Sequence, residues 1–195
     1  GALSVAVVTK PFTFEGRARS KAAEVGINNL RDVVDSLIVI PNDRLLQISD
    51  TNTTMLDAFR FADDVLRHGV QGITDLITVP GLINLDFADV KTVMHQSGSA
   101  LMGIGHGSGE GRAVKAAQEA IANPLLEATV SGATGVLVNV TGGPNMGILE
   151  VNQALEIIHD AVDENAEVIF GSAVNPEMQD EIKITVIATG FEKNA

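Results

Sequence analysis

LSVAVVTKPFTFEGRARSKAAEVGINNLRDVVDSLIVIP, residues 3 to 41, is the stretch that sets the fold class. Leu3 to Thr9 is a nearly continuous β-branched apolar run and Leu37-Ile-Val-Ile40 is a second. Each suits a strand covered on both faces of a parallel sheet. Between them, Pro11-Phe-Thr-Phe-Glu-Gly16 reads as a loop, and Arg17 to Val25 as a helix. That helix is expected to break or restart at Gly26, with Leu30, Val33 and Val34 as its later apolar face. Strand, helix, strand with about 25 residues between the strands is a βαβ unit and implies α/β architecture. A strand such as Leu3 to Thr9 expects parallel neighbours on both sides, and only one is supplied. Edge pairing and a concentration-dependent oligomer are therefore expected.

Outward from this unit, Pro41-Asn-Asp43 closes the second strand and the longest helix follows. Thr54-Met-Leu-Asp57 is a capping box, and Met55, Phe59, Ala62, Leu66, Gly69, Ile73 and Leu76 recur at four-three spacing up to Pro80. At 1.5 Å per residue the helix is roughly 33 Å long. Phe61, Val65 and Val70 place apolar groups on other faces, so burial on more than one side is expected. Such a helix is suited to separate two lobes.

The helix ends in Gly81-Leu-Ile-Asn-Leu-Asp-Phe-Ala-Asp-Val90, which sets Asn84, Asp86 and Asp89 within six residues. Two carboxylates three apart at a helix start could hold a cation or orient a water. They are equally the residues of a helix cap, and the two roles are compatible. Ser99 to Gly111 alternates glycine with other residues. It lacks both the Gly-x-Gly-x-x-Gly register and the Lys-Ser/Thr of a P-loop, so it reads as a glycine-rich strand end and turn before a helix, Ala113 to Ile121. Gly135 to Val140, Val168 to Phe170 and Ile182 to Ala188 read as strands, and Leu149 to Val162 as a helix with Val151, Leu155, Ile158 and Val162 inward. A four-stranded sheet carrying helices is the economical second lobe.

The 195 residues contain no cysteine, so neither disulfides nor thiolate metal sites are available. A net charge of −12 argues against nucleic-acid partners and acidic membrane surfaces. No apolar run approaches the length of a membrane span, and a cytoplasmic protein is expected. His68, His95, His106 and His159 share no ligand-like spacing and read as surface or turn residues; no metal site is assigned.

Four separated motifs agree in order and spacing with one family. Val7-Val-Thr-Lys-Pro-Phe12 with Phe14-Glu-Gly16, Ile40-Pro-Asn-Asp43, Asp57-Ala-Phe59 with Ala62-Asp63, and Gly81 to Asp89 together resemble FtsZ, the bacterial relative of tubulin. The resemblance runs to Val186-Ile-Ala-Thr-Gly-Phe191. It implies a GTPase of Rossmann type that assembles head to tail into protofilaments of the cytoplasmic division ring. By the same resemblance, residues 1–53 are the remainder of the nucleotide-binding domain, 54–80 the central helix and 81–195 the carboxy-terminal GTPase-activating domain. Glu15 and Arg19 then reach the ribose and phosphates, Asn42 the nucleoside, and Phe59 and Asp63 the guanine. Asp86 and Asp89, supported by Asn84, act on the nucleotide of the next subunit. GTP or GDP is the implied ligand, with Mg2+ or K+ as accompanying cation.

The implied partners are further copies of the chain, an amino-terminal half and other division proteins, without insertion into a membrane. The family's phosphate-binding loop is expected before Gly1, so the isolated chain is expected to bind GTP weakly and to be inactive. A non-catalytic scaffold using only the polymer surfaces is the alternative. A metal-dependent hydrolase on Asn84, Asp86 and Asp89 is a third reading, one that sets the resemblance aside.

Overall fold

The computed structural model describes residues 3–48, 50–78, 87–94, 98–122 and 133–190. Strand β1 (Val5–Lys10) pairs in parallel with β2 (Ser36–Pro41), and helix α1 (Arg17–Arg31) connects them. The βαβ unit is thus present. Gly26 does not interrupt α1, which runs unbroken for 15 residues. One glycine inside a helix costs only about 1 kcal/mol, less than breaking the hydrogen-bond ladder. Because α1 stops at Arg31, Val33 falls outside the helix and is 73% exposed, not part of an inward face.

Helix α2 (Met55–Thr78) begins with the expected box: Asp57 N donates to Thr54 Oγ1 at 3.1 Å and Thr54 N donates to Asp57 Oδ2 at 3.3 Å. Its buried stripe is Ala58, Ala62, Gly69 and Gly72, with Val65 and Ile73 packed against the core beside it. Burial on several sides is not what the structure shows. Met55, Leu56, Phe61 and Val70 remain exposed, because no element among the described residues covers the helix opposite the sheet.

Helix α3 (Phe87–Met94) leads into β3 (Gly98–Ser108), then α4 (Arg112–Ile121), β4 (Gly135–Gly142), α5 (Ile148–Ala161), β5 (Glu167–Val174) and β6 (Glu181–Thr189). The six strands form one sheet in the order β1-β2-β3-β6-β4-β5. Four of them, β3, β6, β4 and β5, make the expected four-stranded sheet. It joins the βαβ part through a short parallel pairing in which Ser36, Leu37 and Ile38 meet Gly98, Ser99 and Ala100. Among the described residues, strand β1 lies at the sheet edge with one parallel neighbour.

Period-two alternation divides the second half into two cores. Met102, Ile104, Leu137, Ile169 and Ile187 face α2 and α3, and join Phe12, Ile38, Ile40 and Leu45 in one cluster. Val136, Val138, Val140, Ile182, Ile184 and Val186 face the alanine stripe of α4 and Ala154 and Ile158 of α5. The alternating glycines of β3 are explained here. A Cβ on Gly105 would lie 1.9 Å from the carbonyl oxygen of Ala116, and one on Gly107 would lie 1.9 Å from that of Arg112. The glycines form a flat track on which α4 lies, as a strand-end reading of this stretch requires.

Candidate functional site: a cleft between the first loop and the long helix

The loop after β1, the turn after β2 and the first half of α2 enclose a cleft of about 510 Å³. Glu15, Arg19, Asn42, Phe59 and Asp63 all line it, with Thr9, Pro11, Ala22, Ala23, Ala62 and Leu66 completing the walls. Five residues spread over 49 positions in the sequence therefore meet at one place. The cause is topological: in a parallel pair the loops leaving the carboxyl ends of both strands fall on the same side, where crevices form.

Each wall is positioned by identifiable contacts. Residues Thr13–Glu15 make one turn of 3-10 helix, and the Glu15 carboxylate closes it. Its Oε2 accepts from the backbone N–H of Phe12 at 2.8 Å, while Oε1 accepts from Arg19 Nη1 at 2.9 Å. The Glu15 side chain is 10% exposed and that of Arg19 is 68% exposed. The i, i+4 ion pair is thus real, and both members face the cleft.

Phe12 is fully buried in the core cluster and does not itself line the cleft. Its ring stacks on Phe14 at 4.9 Å and meets the edge of Phe59 at 5.7 Å. Phe59 itself is 37% exposed, so part of its ring remains open to the cleft rather than consumed by the core. One turn further along α2, Asp63 also borders the cleft, whereas its neighbour Asp64 faces away and pairs with Arg67 at 3.1 Å. Helical spacing separates the two aspartates in the way the sequence anticipated.

Asn42 is buried, and its Oδ1 accepts no hydrogen bond among the described residues. A buried acceptor left unsatisfied costs on the order of 1–3 kcal/mol, which a donor on a bound molecule would recover. The sequence motifs did not single out Asp43, although it directly follows Asn42. It receives Thr13 N at 2.9 Å on Oδ1, and Thr13 Oγ1 donates to Oδ2.

The second group of expected residues is less visible. Asn84 and Asp86 lie outside the described residues. Asp89 belongs to the first turn of α3, and its side chain is likewise outside the description. His68 departs from the surface reading: it is half-buried on α2, with its ring 6.3 Å from that of His106 on β3. Among the described residues no group of three or more His, Asp or Glu side chains is arranged to hold a metal ion.

Comparison with known proteins agrees with this architecture. The family model described as Tubulin/FtsZ family, GTPase domain, matches residues 1–50, and that of the FtsZ family, C-terminal domain, matches residues 98–192. The structure of the empty FtsZ dimer of M. jannaschii superposes with a TM-score of 0.93 at 40% identity, over 98% of this chain. The chain belongs to the FtsZ family. A point mutant of the same M. jannaschii FtsZ gives 0.92 at 40% identity over 97% of the chain. CetZ1 from Haloferax volcanii, a GDP-bound monomer, gives 0.75 at 15% identity over 97% of the chain, a likeness of fold alone. The chain spans 56% of the length of the M. jannaschii FtsZ dimer chain and of CetZ1, and 57% of the mutant.

Proposed function

We propose that this chain supplies the nucleoside-binding half of a GTP site. The observation that carries the reading is the convergence of Glu15, Arg19, Asn42, Phe59 and Asp63 on one cleft. The chemistry of the lining fits a guanosine. A partly open Phe59 ring offers a stacking surface. The Asp63 carboxylate, an acceptor only, matches the N1–H and exocyclic amine of guanine and not the Watson–Crick edge of adenine. Glu15 can accept from ribose hydroxyls, Arg19 brings fixed donors and positive charge to phosphates, and Asn42 has a free acceptor.

In the assembled protein, Asp86 and Asp89, with Asn84, act on the nucleotide of the adjoining subunit and position the attacking water. Phosphoryl transfer to water depends mostly on such positioning and on electrostatics, with Mg2+ or K+ neutralising phosphate charge. Helix α2 links the two functions along the chain, since its first half borders the cleft and Asp86 and Asp89 follow its far end in the sequence. The resulting head-to-tail polymer is the cytoplasmic division ring. Among the described residues no helix is long and apolar enough to cross a membrane.

Ligand-observed NMR of this chain with GMP and AMP tests the cleft. GMP is expected to bind with a dissociation constant on the order of 1 mM, about −4 kcal/mol, with AMP weaker. Equal response to both nucleotides would overturn the reading. For the shared site, phosphate release from GTP is measured with this chain added to a protein carrying the family's phosphate-binding loop. Turnover should rise steeply with concentration and collapse for Asp86→Ala and Asp89→Ala. Turnover unchanged in both variants would favour a scaffold.

A further inference from the structure

The Thr13–Asp43 contact joins two loops 30 residues apart, yet its polar atoms do not line the nucleoside cleft. They face a second hollow of about 510 Å³, bordered by Lys10, Ser20, Glu24 and Arg44 on the far side of the same loop. Pro11 and Asn42 border both spaces, so the contact stands in the wall that divides them. Asp43 is thus placed to hold the wall without touching whatever occupies the cleft.

What it holds follows from the chain order. Thr13 is flanked by Phe12, whose ring is locked in the core, and by the Phe14–Glu15 turn. The Glu15 carboxylate is fixed to its own turn through Phe12 N, and Glu15 N in turn donates to Phe12 O at 3.0 Å. These bonds set the shape of the turn but not its place relative to the β2 side of the cleft. Packing of Phe12 with Ile38, Ile40 and Leu45 anchors one side of the turn, and Asp43 adds the polar tie that orients it, because it grips Thr13 with both carboxylate oxygens and is bonded directly to Asn42. Bidentate, charge-assisted contacts constrain orientation as well as distance.

We infer that Asp43 is a positioning residue that orients the Glu15 turn relative to Asn42 in the shared cleft and so sets how strongly the cleft prefers a sugar bearing both ribose hydroxyls. The inference rests on the guanosine reading of the cleft and adds to it the origin of sugar selectivity. Base selectivity has a separate source, since Asp63 sits on α2 and shares no hydrogen bond with Thr13 or Asp43.

The test compares affinities of the chain for GMP, 2′,3′-dideoxy-GMP and AMP by ligand-observed NMR, with circular dichroism as a check on folding. For Asp43→Ala the preference for GMP over its dideoxy analogue is expected to fall about threefold to tenfold, the effect of one or two charge-assisted hydrogen bonds. The preference for GMP over AMP is expected to persist. Asp43→Asn should restore most of the sugar preference, because its amide accepts from Thr13 N–H and donates to the hydroxyl; Thr13→Val should lose about half of it. Unchanged sugar preference in Asp43→Ala and Thr13→Val would overturn the assignment. So would parallel loss of sugar and base preference, which marks a purely structural contact. A wild-type chain preferring neither GMP over AMP nor GMP over the dideoxy analogue would remove the guanosine reading first, and the role of Asp43 with it.

Discussion

Arg112, at the start of α4, holds both carboxylate oxygens of Glu150, in the first turn of α5, with Nε to Oε1 at 2.7 Å and Nη2 to Oε2 at 3.0 Å. The same carboxylate accepts from Gly147 N at 2.7 Å, which closes the amino terminus of α5. Arg112 is buried, and its guanidinium holds the Glu150 carboxyl below the ordinary value. The pair clamps two helices whose buried faces are the alanine stripe of α4 and Val151, Ala154 and Ile158 of α5.

Arg112→Leu leaves a partly buried carboxylate without its partner. The expected loss is about 2–3 kcal/mol, since removing one member of such a pair exposes the desolvation cost of the other. For a chain of this length that lowers the melting temperature by roughly 4–12 °C in calorimetry. The double variant Arg112→Leu, Glu150→Leu should recover part of the loss, because two apolar side chains carry no unpaired charge. The Glu150 contribution is full above its unfolded value of 4.5 and is lost as pH falls below it through the lowered folded value.

Gly105→Ala should destabilise the chain by about 3 kcal/mol or more, the upper range for forced overpacking. The new methyl would meet backbone of α4, which no side-chain rotation relieves. Chemical denaturation would show a lower midpoint, and a midpoint equal to wild type would contradict the close strand-to-helix approach.

Stability should also decline as pH falls below 6.5, with His68 as a contributor. Burial comes first, then the Lys183 ammonium on β6, Arg67 on α2 and His106 on β3; together they hold the His68 imidazole below the ordinary 6.5, against the opposing pull of Asp64. The unfolded chain therefore binds the proton more readily than the folded chain, so stability rises with pH across this window. Melting temperature measured from pH 7.5 to 5 should fall less steeply in His68→Gln than in wild type. Identical slopes would remove His68 from the account.

Asp63→Ala and Asp64→Ala separate the two neighbouring aspartates. Loss of Asp63 should abolish the preference for GMP over AMP, about tenfold or less for the two hydrogen bonds it offers, whereas loss of Asp64 should leave it intact and remove only the surface pair with Arg67. Nucleotide titrations of both variants decide this, and equal behaviour would count against the helical-face assignment.

The sequence alone determined the α/β class, the order of the strands along the chain, the capping box at Thr54 and Asp57, and the family. These are local or patterned properties: β-branched runs, four-three spacing and motif order are written in neighbouring residues. It also put Asp63, not Asp64, on the helical face of Phe59, because one helical turn fixes which face a side chain shares with it. Gly26 and Val33 show the limit of local reading: at Gly26 propensity yields to the hydrogen-bond ladder of the helix around it, and Val33 lies beyond the helix end at Arg31.

Only the tertiary structure decided that β2 and β3 join the two halves into one sheet, that α2 buries a single stripe among the described residues, and that the β3 glycines serve α4. It alone brought Thr13 to Asp43, His68 to His106 and Arg112 to Glu150. Those pairings are 30 or more residues apart and carry no periodic signal, because each depends on where two separately formed elements come to rest against each other.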